Sequence, residues 1–124
     1  MKTYSEVTQS KKFIEKLSIL NANLKQSLLA NNLKPVIIGS LFYDHVEKYG
    51  VPFYESPLNE ECEQKRIRFF DAAQQSSHMF EVGLNGGHSA FLALMSNPEI
   101  TVTSNDLAEQ FLSAEDVHPE IYTI

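Results

Sequence analysis

Apolar residues in the first third of the chain recur at helical spacing. Phe13, Leu17, Leu20, Leu24 and Leu28 follow one another at steps of three and four, which sets them on one helical face. Lys11, Lys12, Lys16 and Lys25 fall on the other side. Thr3 with Glu6, or Ser5 or Ser10 alone, suits the start of this helix. Asn31, Asn32 and Pro35 mark its end. The pattern predicts a docking helix that covers core or pairs with another subunit. Pro35 can open a second helix in which Ile38, Phe42, Val46 and Tyr49 share a face and Gly50 follows as a cap. Val36-Ile37-Ile38 reads alternatively as a short strand. Residues 51–58, VPFYESPL, hold two prolines and read as a loop. A third helix starts near Asn59. Glu60, Glu61 and Glu63 crowd its positive end, Lys65, Arg66 and Arg68 follow, and Cys62, Ile67, Phe70 and Ala73 form its buried edge.

The period then changes. His78 to Val82 is short, apolar-rich and bounded by turn residues, and reads as a buried strand. A glycine turn, Gly83-Leu84-Asn85-Gly86-Gly87, leads into a helix from His88 to Met95 that Ser96-Asn97-Pro98 ends. Ile100 to Ser104 alternates like a strand. Leu107 to about Asp116 is expected to be helical, with Ala108, Phe111, Leu112 and Ala114 apolar. Ile121 to Ile124 reads as a last strand. Strand, helix, strand, helix, strand implies a parallel sheet with right-handed crossovers. The expectation is an α/β fold, with an N-terminal helical region over 1–58 and a partial Rossmann-like β-α-β-α-β region over 59–124.

Composition narrows the function classes. The chain has 124 residues, 43% hydrophobic and 21% charged, with a net charge of −6. That size suits one domain or part of one. The negative balance argues against nucleic acid, whose phosphates need a positive face. Lys65-Arg66-Arg68, set among glutamates, reads as a solvated helix face. The single cysteine, Cys62, forms no internal disulfide, and its acidic neighbours disfavour a reactive thiolate. No apolar run is long enough to span a bilayer, and the N-terminus lacks the apolar segment of a signal peptide. A cytoplasmic location and no membrane partner are expected. His45, His78, His88 and His118 lack metal-ligand spacing, so no metal site is expected. There is no Gly-x-Ser-x-Gly elbow and no Cys–His pair to support a hydrolase.

The glycine turn carries the candidate chemistry. Glycines let a ligand approach the backbone, and the helix beyond offers unpaired N–H groups and partial positive charge. Asp106 stands 23 residues after Gly83, a spacing at which an acid can accept ribose hydroxyls in nucleotide-binding α/β folds. Together they predict a ligand with an anionic group and a ribose. The order G-x-x-G-G fits a dinucleotide fingerprint poorly. Three glycines alone can serve a tight turn, Asp106 can be a helix cap, and Ser89 can be an ordinary first-turn residue. Glu81, buried at a strand end, needs a partner.

FEVGLNGGHSAFLALMSNPEITVTSNDL resembles the first motif and second strand of class I S-adenosylmethionine-dependent methyltransferases. The branch in question carries Glu-(Ile/Val)-Gly-x-Asn-(Ala/Gly)-Gly-His-Ser-Ala. Glu81, Gly83, Asn85, Gly87, His88, Ser89 and Ala90 match it, within a resemblance covering about a quarter of the chain. The resemblance implies S-adenosylmethionine as cofactor. Gly83, Leu84, Asn85 and Gly87 would line its methionine portion. Glu81 would help hold the amino group, Ser89 or His88 would sit near the carboxylate, and Asp106 would take the ribose hydroxyls. The implied reaction is in-line methyl transfer from sulfonium to an O, N or C nucleophile, which rests largely on positioning; no catalytic residue emerges. His88 reads better as a helix-start donor than as a general base. Complete domains of the family continue through further strands, and this chain stops near its third expected one. The expectation is an N-terminal half of such a methyltransferase, enzymatic if the other half is supplied, with the acceptor undefined. The alternative is a non-catalytic remnant, a helical module plus half a nucleotide fold. Such a half sheet leaves an open edge, so a homo-oligomer or a partner completing the sheet is expected.

Overall fold

The computed structural model describes residues 1–33, 41–44, 52–83, 86–106 and 122–123, with Asp106, Tyr122 and Thr123 described in their backbone. The first third contains two helices where one is expected. Helix α1 spans Tyr4–Thr8 and helix α2 spans Lys11–Ala30. Thr3 accepts from the Glu6 N–H at 3.2 Å and Ser10 from the Phe13 N–H at 3.2 Å. Both capping signals are therefore used, one per helix, each satisfying an N–H that the helix itself leaves unpaired. The α2 stripe is as expected. Phe13 and Leu28 are buried, and Leu17, Leu20 and Leu24 are partly buried. Asn32, in a left-handed conformation with φ 59°, follows the helix end.

Residues 41–44 are not helical, so the second helix expected after Pro35 does not run through them; its other residues lie outside the described ones. Phe42 and Tyr43 are instead buried in an irregular segment, 0% and 4% exposed. A tight 3-10 turn over Phe53–Glu55 buries Phe53 within the expected loop. The third helix begins as expected. Asn59 caps a 3-10 turn at Glu60–Cys62 that runs into α3, Glu63–Gln74.

One α3 residue overturns the sequence reading. Arg66 is 3% exposed, not part of a solvated face. Its guanidinium donates to the Tyr4 hydroxyl at 2.9 Å, the Leu41 carbonyl at 3.0 Å and the Asn59 carbonyl at 2.7 Å. A buried cation needs its donors occupied, and these three tie α1, the 41–44 segment and the α3 cap together. Lys65 and Arg68 are exposed.

Strand β1, His78–Val82, leads through the glycine turn to α4, His88–Ser96, and then to β2, Thr101–Asp106. β1 and β2 are parallel, with Glu81 opposite Ser104 and Val82 opposite Asn105. The last strand, β3 at Tyr122–Thr123, joins the far side of β2. It is antiparallel, with Asn105 opposite Thr123, so the all-parallel sheet expected from the sequence is corrected at this strand. The helix expected over Leu107 to Asp116 lies outside the described residues. What stands is a mixed fold in which helices accompany a parallel β1–α4–β2 unit.

The sheet is unequally covered. Met79 and Val102 pack with Ala73 of α3, Ala93 of α4 and Ile100. The two alanines bring α3 and α4 close. Alternation sends the next residues of β1 the other way, so β1 is not the buried strand expected. Phe80 and Val82 are 62% and 84% exposed. The main core lies among the helices: Phe13, Phe42, Tyr43, Phe53, Phe70 and Leu92 belong to one cluster. That cluster draws on both the 1–58 and the 59–124 regions.

Candidate functional site

Glu81 stands near the C-terminal end of β1, on the face that carries Met79. Its carboxylate receives two hydroxyls. Ser89, in the first turn of α4, donates to one oxygen, and Ser104 of β2 donates to the other at 3.0 Å. Ser104 is 2% exposed while Glu81 is half-buried. The arrangement follows from the register, since Ser104 lies directly opposite Glu81. A carboxylate offers about four lone-pair directions. Two are engaged by serines, which leaves acceptor capacity for a donor arriving from solvent.

The backbone then opens. The Gly83 N–H continues the ladder, donating to Asn105 O at 2.6 Å. Gly83 itself turns to φ +89°. Gly87 takes φ +90° and occupies the N-cap of α4, which has no side-chain cap hydrogen bond. Positive φ is costly for residues with a Cβ, which accounts for glycine at both positions. A Cβ built on either would meet nothing within 4 Å. The glycines therefore border open space as well as permitting the turn. Leu84 and Asn85 lie outside the described residues. Asp106 ends β2 one residue beyond the Val82–Asn105 pair, which sets its backbone at the same end of the sheet as Gly83.

Ser89 and His88 part company. Ser89 faces Glu81. His88, placed by the sequence beside it as an alternative ligand contact, is turned into the core and is 3% exposed. Its Nε2 lies 2.8 Å from Asn21 Oδ1 of α2. A carbonyl oxygen only accepts, so the ring carries its proton on Nε2. Asn21 in turn donates to the Tyr43 hydroxyl at 2.8 Å. The rings of Phe42, Tyr43 and Phe53 surround the imidazole with centroids 5.3, 5.2 and 6.0 Å away. This apolar wall strips water from the ring and lowers its pKa to about 4. Nδ1 is buried without a hydrogen-bond partner, an arrangement tolerable for a neutral imidazole and unfavourable for a charged one. His88 is thus neutral near physiological pH and is placed as an anchor of the helix rather than as a base facing the turn.

No family model, curated protein or solved structure matches this chain. Among the described residues no helix is long and apolar enough to cross a membrane, and no group of three His, Cys, Asp or Glu side chains could hold a metal ion.

Two participants escaped the sequence reading. Ser104 was visible as part of a strand, and the parallel pairing of β1 with β2 is the signal that sets it against Glu81. Asn21 carries a signal in its spacing: it stands four residues after Leu17 and three before Leu24, on the apolar stripe of α2.

Proposed function

We propose that the turn from Glu81 to Ser89 binds S-adenosylmethionine and that the chain belongs to a methyltransferase. The supporting observation is the half-buried Glu81 carboxylate, held by Ser89 and Ser104 beside two left-handed glycines that border open space. Its remaining lone pairs suit the ammonium of a methionine group. The uncapped first turn of α4 suits the carboxylate of the same group. Gly83 and Gly87 let that group lie close to the backbone, with Leu84 and Asn85 between them in sequence. Asp106, at the adjacent strand end, is the residue for the ribose hydroxyls. The bound cofactor would supply a methyl group on a sulfonium. The chain's contribution is to orient it, and no side chain of the turn is needed as a nucleophile.

Titration calorimetry with S-adenosylhomocysteine tests this reading. Binding in the micromolar range is expected, lost in Gly83→Val and weakened at least about tenfold in Glu81→Gln while circular dichroism stays native. No heat at millimolar ligand, with the protein folded, would falsify it.

One observation favours a second reading, a partner-binding module. Phe80 and Val82 stand exposed on β1, and among the described residues no strand pairs with the outer edge of that strand. Exposed apolar side chains beside an open edge favour strand addition. Phe80→Lys should then abolish association in sedimentation velocity without altering cofactor binding.

A further inference from the structure

A groove of about 480 Å³ runs beside α2, away from the glycine turn, against Tyr43, Tyr54 and Leu58. That volume lies in the range of small-molecule sites, roughly 300–1,000 Å³. The α2 side supplies Phe13, Leu17, Asn21 and Lys25. Among the described residues none that lines the groove is from 81–89, although Asn21 and Tyr43 touch His88 from behind; the groove does not rest on the cofactor reading.

Its chemistry is selective. Tyr54 with Leu17 and Leu58 gives the groove a partly aromatic, apolar wall, which favours a flat apolar body; Phe13 and Tyr43 lie behind it, 1% and 4% exposed. Two polar groups at its wall, Tyr43 and Lys25, can donate. The Tyr43 oxygen already accepts from Asn21 at 2.8 Å, so its own proton is available for an acceptor. Burial raises the Tyr43 pKa, which keeps that proton in place at neutral pH. Lys25 Nζ sits 4.9 Å from the centroid of Tyr54, held at the groove by a cation–π contact. Among the described residues no acidic one lines the groove, although the chain as a whole carries −6. A locally cationic, donor-bearing aromatic groove on an acidic protein calls for a ligand that brings acceptors and negative charge.

We propose that this groove binds a flat aromatic carboxylate, with the ring against Leu17 and Tyr54 and the carboxylate at Lys25 and the Tyr43 hydroxyl. A second copy of the chain or a neutral aromatic are the competing occupants.

Naphthoate is a suitable probe, titrated into the full chain without any cofactor and followed by amide chemical shifts in NMR. Saturable one-to-one shifts are expected at Leu17, Asn21, Lys25, Tyr43 and Leu58, with smaller ones at His88, which touches Asn21 and Tyr43, leaving residues 81–83 still. Lys25→Gln should weaken binding about fivefold, the scale of one partly exposed ion pair. Ala22→Trp, at an exposed helical position on the groove, should abolish binding while the urea midpoint holds. Three results would overturn the proposal: no saturable shifts at the groove; equal affinity for the neutral naphthylmethanol; or a concentration-dependent dimer that Ala22→Trp disperses. Because the probe is read without cofactor, its failure leaves the calorimetric result at the glycine turn unaffected, and the reverse holds.

Discussion

His88 and Ser89 are consecutive in the chain and enter opposite surroundings. The imidazole goes into an aromatic pocket closed by Asn21, where water is excluded. The hydroxyl goes to a half-buried carboxylate beside glycines that border open space. One helical turn therefore has a dry side that fixes the helix and an open side that borders free space. The difference is one of packing rather than of residue type, since both are polar side chains capable of binding an anion. A helix start can serve a ligand only if something else holds it, and here α2 supplies the hold.

The largest expected effect comes from emptying the dry side. His88→Ala removes a buried ring and leaves Asn21 with an unsatisfied carbonyl, and should cost about 3 kcal/mol in urea unfolding. A loss below about 1 kcal/mol would mean that the pocket collapses easily and that the two sides differ less than described.

The next effect is a pH dependence carried by the same ring. In the fold its pKa is about 4, and in the unfolded chain about 6.5. Above the unfolded value the ring is neutral in both states and contributes no slope. As pH falls from there toward the folded value, the unfolded chain alone takes up the proton, so stability declines. Below the folded value both states are protonated and the decline stops. Between about pH 6.5 and about pH 5 the loss should approach 2 kcal/mol. Denaturant midpoints measured across that range in wild type and in His88→Gln check it, and the variant should show a flatter profile.

Smaller again are the glycines of the open side. Gly87→Ala should lose about 1–2 kcal/mol, the backbone cost of a Cβ at positive φ. The open space around that position adds no steric penalty, so a loss above about 3 kcal/mol would reveal crowding there. Glu81→Gln should change stability least, by about 1 kcal/mol or less, since the serines can reorient toward an amide. It should nonetheless reduce S-adenosylhomocysteine affinity by at least about tenfold. Equal affinity in this variant would detach the carboxylate from binding and make the Ser89–Glu81–Ser104 contacts purely structural.

The sequence made the local features legible and the long-range ones illegible. Helical spacing, Ser10 and Asn59 located α2 and the start of α3 because each signal acts within one turn of chain, whereas Thr3 and Ser10, read as alternative starts of one helix, cap two. β1, its glycines and α4 were readable for the same reason. Arg66 was misread because its partners, Tyr4 and Leu41, are far away in sequence, and a cation beside glutamates looks solvated until those partners are known. The direction of β3 was misread because strand order along a chain does not fix which way a short end strand pairs. At the site, Glu81, Gly83, Gly87 and Ser89 were legible from the turn itself. The inward rotation of His88 was not, because Asn21, which receives it, lies on another helix.

The His88–Asn21 contact joins residues 67 positions apart, and this separation bears on timing. Local helices form quickly, whereas contacts that close long loops come at an entropic cost and are slow to form. The first turn of α4 acquires its orientation only once α2 has docked, however early its own hydrogen bonds form. The glycine turn should thus become competent late in folding, together with the aromatic core. On the proposed reading, S-adenosylhomocysteine added during refolding would stabilise the finished protein without accelerating its assembly.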